Sequence, residues 1–206
     1  MPSTAAVASS TPASPAASSP ASAAAGAVKL TLAPESSQVQ IRMRELLAGN
    51  TIQNDAVESS KAVSGSLTIN PDGSVAARST ISLDLRTLQS DRATRDRFIK
   101  GRAVLDTGST PNAEVTVTQL QGLEGPLPTT GQKTFKMVSD ATVHGVTKPL
   151  TWNVKATFGP QDVKGEAAAD FTLSEFGLNV PQVGPVVKVD DPGKLVVDFT
   201  AARWAA

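Results

Sequence analysis

The sequence predicts an all-β chain, an antiparallel barrel of about eight strands with one short capping helix, and three features carry that expectation. From Leu30 to Ala201 apolar and polar residues alternate in short runs, the period-2 signature of half-buried strands. Clusters of Gly, Pro, Asn and Asp separate the runs at short intervals. One segment, Asp91 to Lys100, departs from the alternation and has the charge pattern and the closing Gly101 of a short helix.

The elements follow in order. After Leu30, Val39, Ile41 and Met43 alternate with Gln38, Gln40, Arg42 and Arg44. Val63 to Ile69 alternates again and ends in Asn70-Pro71-Asp72-Gly73, where Pro presets φ and Gly accepts positive φ, so a tight turn is expected. Val75, Ala77, Ser79, Ile81, Leu83 and Leu85 then share one parity, which predicts a long return strand. Further strands are expected at Glu114 to Leu120, Lys133 to Val143, Leu150 to Phe158, Val163 to Leu173, Val186 to Val189 and Leu195 to Ala201. Between two of them, His144-Gly145 reads as the turn of a hairpin, with Pro149 at the start of the second strand. Closing such a set into a barrel removes the unpaired edges of an open sheet. The helix, capped near Asp91, would turn Phe98 and Ile99 toward the barrel and lie over one mouth.

Composition narrows the function classes. The chain has 206 residues, no cysteine, one histidine, and 19 Lys and Arg against 19 Asp and Glu. Disulfides and thiolate metal sites are therefore excluded, and so is any site needing two histidines. Balanced charge argues against nucleic acid as a partner, because a broad phosphate footprint needs a basic patch. No apolar run approaches the roughly 18 residues of a transmembrane helix. Residues 1–27 are nearly all Ala, Ser, Pro and Thr, and cannot bury enough surface to offset their ordering entropy. They are expected to form a disordered tether ahead of a barrel domain at 28–206. Stretches of this composition follow the cleavage site of exported proteins, which suggests a periplasmic, secreted or surface-tethered protein and leaves a cytoplasmic one open.

Small residues on the strands direct attention to the interior. Gly165, Ala167 and Ala169 share one parity, and Ala77 and Ser79 another, so inward faces built from them would leave space. An eight-stranded barrel is just wide enough to be packed solid or to hold one ligand. The expected ligand-binding residues are Ala77, Ile81, Phe135, Met137, Trp152, Val154, Phe158, Ala167, Ala169 and Phe171. The aromatic members could line a tunnel or reach across and fill it.

Catalytic patterns are thin. There is no Gly-x-Ser-x-Gly elbow, phosphate loop or dinucleotide fingerprint. His144 beside Gly145 reads as a turn residue, and Asp190-Asp191-Pro192-Gly193 as a hairpin turn rather than a cation site. Asp91, Arg92, Arg95 and Asp96 read as a solvated helix face with local ion pairs.

Three segments together resemble the YceI-like family over about Leu30 to the C-terminus. Asp91-Arg92-Ala93-Thr94-Arg95-Asp96 looks like that family's Arg-Asp helix start, Gly145-Val146-Thr147-Lys148-Pro149 like its turn, and Glu175-Phe176-Gly177-Leu178 like its Phe-Gly motif. The resemblance implies a lipocalin-like barrel that binds polyisoprenoid or other long-chain lipids, needs no cofactor and is usually exported. This chain departs from the pattern at Ala33-Pro34-Glu35-Ser36-Ser37, where the family has Asp-Pro-x-His-Ser, at Leu173 in place of an Arg, and at Phe98 in place of a His. Those departures remove polar groups that could meet a ligand head group. The leading expectation is thus a non-enzymatic lipid binder or carrier with an isoprenoid or fatty-acyl chain in the barrel. A solidly packed interaction module is the alternative, and an enzyme acting within the cavity is a third class that would require a buried titratable cluster.

Overall fold

Eight antiparallel strands close into a ring in the computed structural model, which describes residues 24–49, 51–178 and 186–206. In chain order the elements are β1 (Val28–Leu32), β2 (Gln38–Leu47), β3 (Asn54–Ser60), β4 (Val63–Ile69), β5 (Thr80–Asp84), α1 (Ala93–Lys100), β6 (Asn112–Gln121), β7 (Gly131–Val143), β8 (Val146–Phe158), β9 (Asp162–Phe171), β10 (Val186–Val189) and β11 (Gly193–Ala205). The ring runs β1-β4-β5-β6-β7-β8-β9-β11 and returns to β1, where Val28–Leu32 pairs with Ala205–Ala201. β2 continues the edge begun by β1: past a bend at Pro34–Ser36 it pairs with Lys194–Asp198, the other half of β11. β3 then pairs with β2, and β10 joins the far end of β2. The barrel expected from the alternating runs is therefore present, with a single short α-helix among the described residues.

The strongest elements are the ones the pattern predicted. On β8 the residues from Leu150 to Phe158 alternate buried and exposed without a break, and β7 presents Met137 and Ser139 inward opposite Trp152 and Leu150. His144 and Gly145 join the two strands with φ of 51° and 78°, the paired positive values of the tight hairpin turn that best matches strand twist. β8 begins at Val146, earlier than expected, so Pro149 lies within it. β9 pairs with β8 only from Asn153 onward, so Pro149 stands on a stretch open on one side, where a missing amide is tolerated.

Other expectations need correction. The long return strand after Gly73 is interrupted: Ala77 and Arg78 form a turn, with Arg78 at φ 63°, and β5 starts only at Thr80. Ser79 stabilises the interruption, its hydroxyl donating to the Ala76 carbonyl at 2.8 Å and accepting from the Thr68 amide at 3.0 Å. Its small size serves that bonding and does not open the lumen. α1 begins at Ala93 with Arg92 as its N-cap residue, and Asp91 does not cap it. Asp91 is drawn instead to Arg95 one turn on, while the helix entry is tied by Asp96, which accepts from both the amide (3.0 Å) and the hydroxyl (2.6 Å) of Ser90.

The tether expected at 1–27 lies mostly outside the described residues. Its last residues, Ala24 to Ala27, form a turn held to the barrel: the Ala24 amide donates to Asn70 Oδ1, the Ala206 amide donates to the Ala27 carbonyl, and Ala27 is fully buried.

Candidate functional site: an apolar cavity with a buried acidic end

The inward faces enclose a cavity of about 510 Å³ whose wall is apolar nearly throughout. On one side it is formed by the β7–β8 hairpin, where Phe135 stands opposite Val154 and Met137 opposite Trp152. Phe158 closes toward Phe135 in a tilted pair with ring centres 6.5 Å apart. Trp152 keeps its indole N–H satisfied by donating to Ser139 Oγ at 3.0 Å, so a fully buried serine lets the tryptophan present its ring to the core. Ile81 of β5 and Ala167 and Phe171 of β9 complete the predicted part of the wall.

Ala169 and Ala77 do not belong to it. Ala169 is buried, but its register partner Leu195 forms the wall at that level, and Ala77 is carried away by the turn before β5. Gly165 serves strand packing and not volume, because a Cβ there would stand 2.2 Å from the Lys155 carbonyl oxygen. Gly193 behaves in the same way on β11, where a Cβ would meet Met43 Sδ at 2.1 Å.

One end of the cavity is polar, and the sequence reading missed it. α1 lies there with Phe98 and Ile99 on the wall as expected, but Arg95, three and four residues before them, shares their stripe and lines the cavity too. Its side chain is only 13% exposed and pairs with Glu45 of β2, whose side chain is 6% exposed. The helix face read as solvated thus supplies a buried ion pair. Glu45 could have been found: Val39, Ile41 and Met43 set the inward parity of β2, and one more step reaches it. Glu58 gave no such signal, because Asn-Asp-Ala-Val-Glu-Ser-Ser carries no apolar alternation, and β3 itself was not expected.

Glu58 is the unusual member. It alternates inward with Ala56 and Ser60, is 5% exposed, lines the cavity, and has no hydrogen-bond partner on either carboxylate oxygen among the described residues. The nearby Ser90 hydroxyl directs its single proton to Asp96 at 2.6 Å in preference to Glu58. Burial pushes the Glu58 carboxyl up to about 7, with the Asp96 charge adding to the rise and the nearby Ser90 hydroxyl, Arg95 and Lys100 only partly offsetting it. At neutral pH it is therefore poised between the acid and the carboxylate.

The acidic pairs at the β10–β11 turn have protein partners. Asp190 pairs with Lys188 at 2.8 Å and accepts from Gln53, while Asp191 accepts from the amides of Leu173 and Ser174 and so caps the turn Ser174–Phe176. Gly177 ends that turn at φ 68°, which accounts for the glycine of the Phe-Gly segment.

Comparison with known proteins agrees with this architecture. A family model, the YceI-like domain, matches residues 30–201. The chain belongs to the YceI-like family. A UPF0312 protein of Pseudomonas putida strain F1 is 37% identical over 113 residues, 50% of this chain and 54% of the relative. One from Pseudomonas syringae pv. syringae is 32% identical over 134 residues, 60% of this chain and 64% of the relative. The chain thus spans less than two thirds of the length of these relatives. Among solved structures, Burkholderia cenocepacia BcnA superposes with a TM-score of 0.62 at 13% identity, covering 82% of this chain and 98% of its own. A polyisoprenoid binding domain from Saccharophagus degradans, implicated in plant cell wall breakdown, also gives 0.62, at 12% identity, with 86% and 98% covered. At such identities the likeness shows the YceI fold and leaves the ligand of this chain to its own residues.

Proposed function

We propose that this protein is a non-enzymatic binder or carrier of a long-chain amphiphile, with an isoprenoid or fatty-acyl chain held inside the barrel. The observation that carries the reading is the continuous apolar cavity of about 510 Å³ within a closed ring of strands. That volume falls within the range of ordinary small-molecule sites. Burial is worth about 0.8 kcal/mol per methylene, so a chain of about sixteen carbons gains about 13 kcal/mol, which reaches micromolar affinity after an association cost of about 4 to 5 kcal/mol. The polyisoprenoid binding named for the Saccharophagus domain supports the same class of ligand.

The solidly packed module would need large side chains across the lumen, and Phe135, Trp152 and Phe171 instead stand along its wall. Glu58 is the kind of group that an enzyme of the third class would use. A proton-transfer catalyst also needs a second group within reach of the same substrate atom, and Arg95 is committed to Glu45, Ser90 to Asp96. These commitments support binding over catalysis. Export, or tethering at a surface through the Ala/Ser/Pro-rich residues 1–27, belongs to the same proposal and rests on composition. Mass spectrometry of a lipid extract of the purified protein tests the central part: a stoichiometric long-chain species is expected, and an extract without one, from protein that also takes up no added lipid, contradicts it.

A further inference from the structure

The cavity is asymmetric in chemistry, and its polar end is specific about what it can accept. Resting on the reading that the lumen takes an apolar chain, we propose that Glu58 recognises the head group of that ligand, selecting an uncharged hydroxyl, as in a long-chain alcohol or phenol, and rejecting phosphate and carboxylate heads. Three observations converge here. Glu58 on β3 turns a carboxyl with two unpartnered oxygens onto the wall of an otherwise apolar cavity. A buried polar group in that condition is costly unless something supplies a hydrogen bond, and the donors nearest to it, Arg95 and Ser90, are directed to Glu45 and Asp96. A ligand head group can supply the missing bond.

The second observation is the charge of the surroundings. Facing this end are Glu45 from β2 and Arg95, Asp96 and Lys100 from α1, with Asp91 and Arg92 just before the helix. Arg95 is held between Glu45 and Asp91, and Arg92, also on the wall, stands 3.7 Å from Asp91. Lys100 donates to the Arg86 carbonyl at 3.1 Å. Among the described residues no buried cation is left unpaired at this end: Arg95 is taken by Glu45, and Arg92 is 46% exposed and screened by solvent, so a phosphate beside Glu45 and Glu58 would meet mainly like charge. The third is the protonation of Glu58. As the neutral acid it both donates and accepts, which matches a hydroxyl, a group that also does both.

Competition against an environment-sensitive apolar probe tests this, using dodecane, dodecanol, dodecylamine and dodecyl phosphate below micellar concentrations. Each protein's alkane affinity is its own reference. The wild type is expected to favour dodecanol over dodecane by about tenfold, the worth of one hydrogen bond to a buried group, and dodecyl phosphate least. Glu58→Leu should erase the alcohol preference to within about twofold, whereas Glu58→Gln, which still donates and accepts, should keep it. Probe binding with no preference among the four heads, or with phosphate or amine preferred, overturns the head-group assignment and leaves the lipid cavity standing. Failure of the wild type to bind even the probe overturns both. The wild-type series decides the question even if a variant does not fold.

Discussion

Arg95 of α1 and Glu45 of β2, fifty residues apart in the chain, form an ion pair almost closed to solvent and so lock the helix onto the β2–β3 edge of the barrel. Desolvating both charges offsets much of their attraction, so the pair contributes more to where the helix sits than to net stability. Breaking it is another matter, because one charge is then left buried. Arg95→Met is expected to cost about 3 kcal/mol in chemical unfolding, with Glu45→Met similar. The double variant should recover at least about 1 kcal/mol relative to the sum of the two single losses, and strict additivity would show that the two groups do not interact.

Glu58 gives the protein a stability that depends on pH in an uncommon direction. Its carboxyl is raised from 4.5 to about 7 in the folded state, so between those values the native protein holds a proton that the unfolded chain has lost. Stability from this group is complete below about 4.5 and is lost as pH rises through about 7, for a total of about 3 kcal/mol. Asp72, Asp84 and Asp190, whose carboxyls are held below their usual value, act in the opposite sense and only below about 4. Melting measured from pH 4.5 to 8 should therefore show a decline in the wild type that Glu58→Gln removes, leaving the variant the more stable protein at pH 8. Equal slopes in the two proteins would place the carboxyl in a solvated setting.

His144 owes its position to its backbone. At φ 51° in the turn between β7 and β8 it occupies a conformation open to few non-glycine residues. His144→Ala should keep lipid uptake within about tenfold and lower stability by about 1 kcal/mol at most, since neither residue is favoured there. Loss of uptake with unchanged circular dichroism would give the imidazole a role in binding.

The N-terminal boundary can be set by truncation. From composition, removing residues 1–23 should leave the melting temperature within about a degree of the full chain. Extending the deletion through Ala27 removes a fully buried residue and the hydrogen bonds to Asn70 and Ala206, and should lower it by several degrees, about 1 kcal/mol or more. An equal effect of both deletions would argue that Ala24 to Ala27 adds nothing to the barrel.

Much of the barrel was legible because its strands are half buried, and each side chain on β7 and β8 reports its face by parity alone. The wall residues on those strands followed from the same rule. Ala77 was misplaced because parity cannot register a turn inside a run, and Arg78 gives no glycine to mark one. Ala169 shows a different limit: whether a small inward residue opens space depends on its cross-strand neighbour, here Leu195, a pairing that the sequence does not display. The polar end was obscured more deeply. Arg95, Glu45 and Glu58 each look like surface residues in isolation, and only tertiary pairing brings an amphipathic helix, a long strand and an unpatterned one around a single buried volume.

Ala167 lies on the cavity wall between Val154 and Val197, both of them wall residues too, which makes it the place where the central claim meets a single measurement. Uptake of a fluorescent long-chain lipid, titrated into wild type and Ala167→Phe with melting followed on the same samples, separates an open lumen from a packed one. One lipid is expected per wild-type chain, and uptake should be abolished in Ala167→Phe at near-native stability, because added bulk enters empty volume. A wild type that binds no lipid, together with a variant destabilised by the roughly 1–3 kcal/mol of an overpacked core, would contradict it.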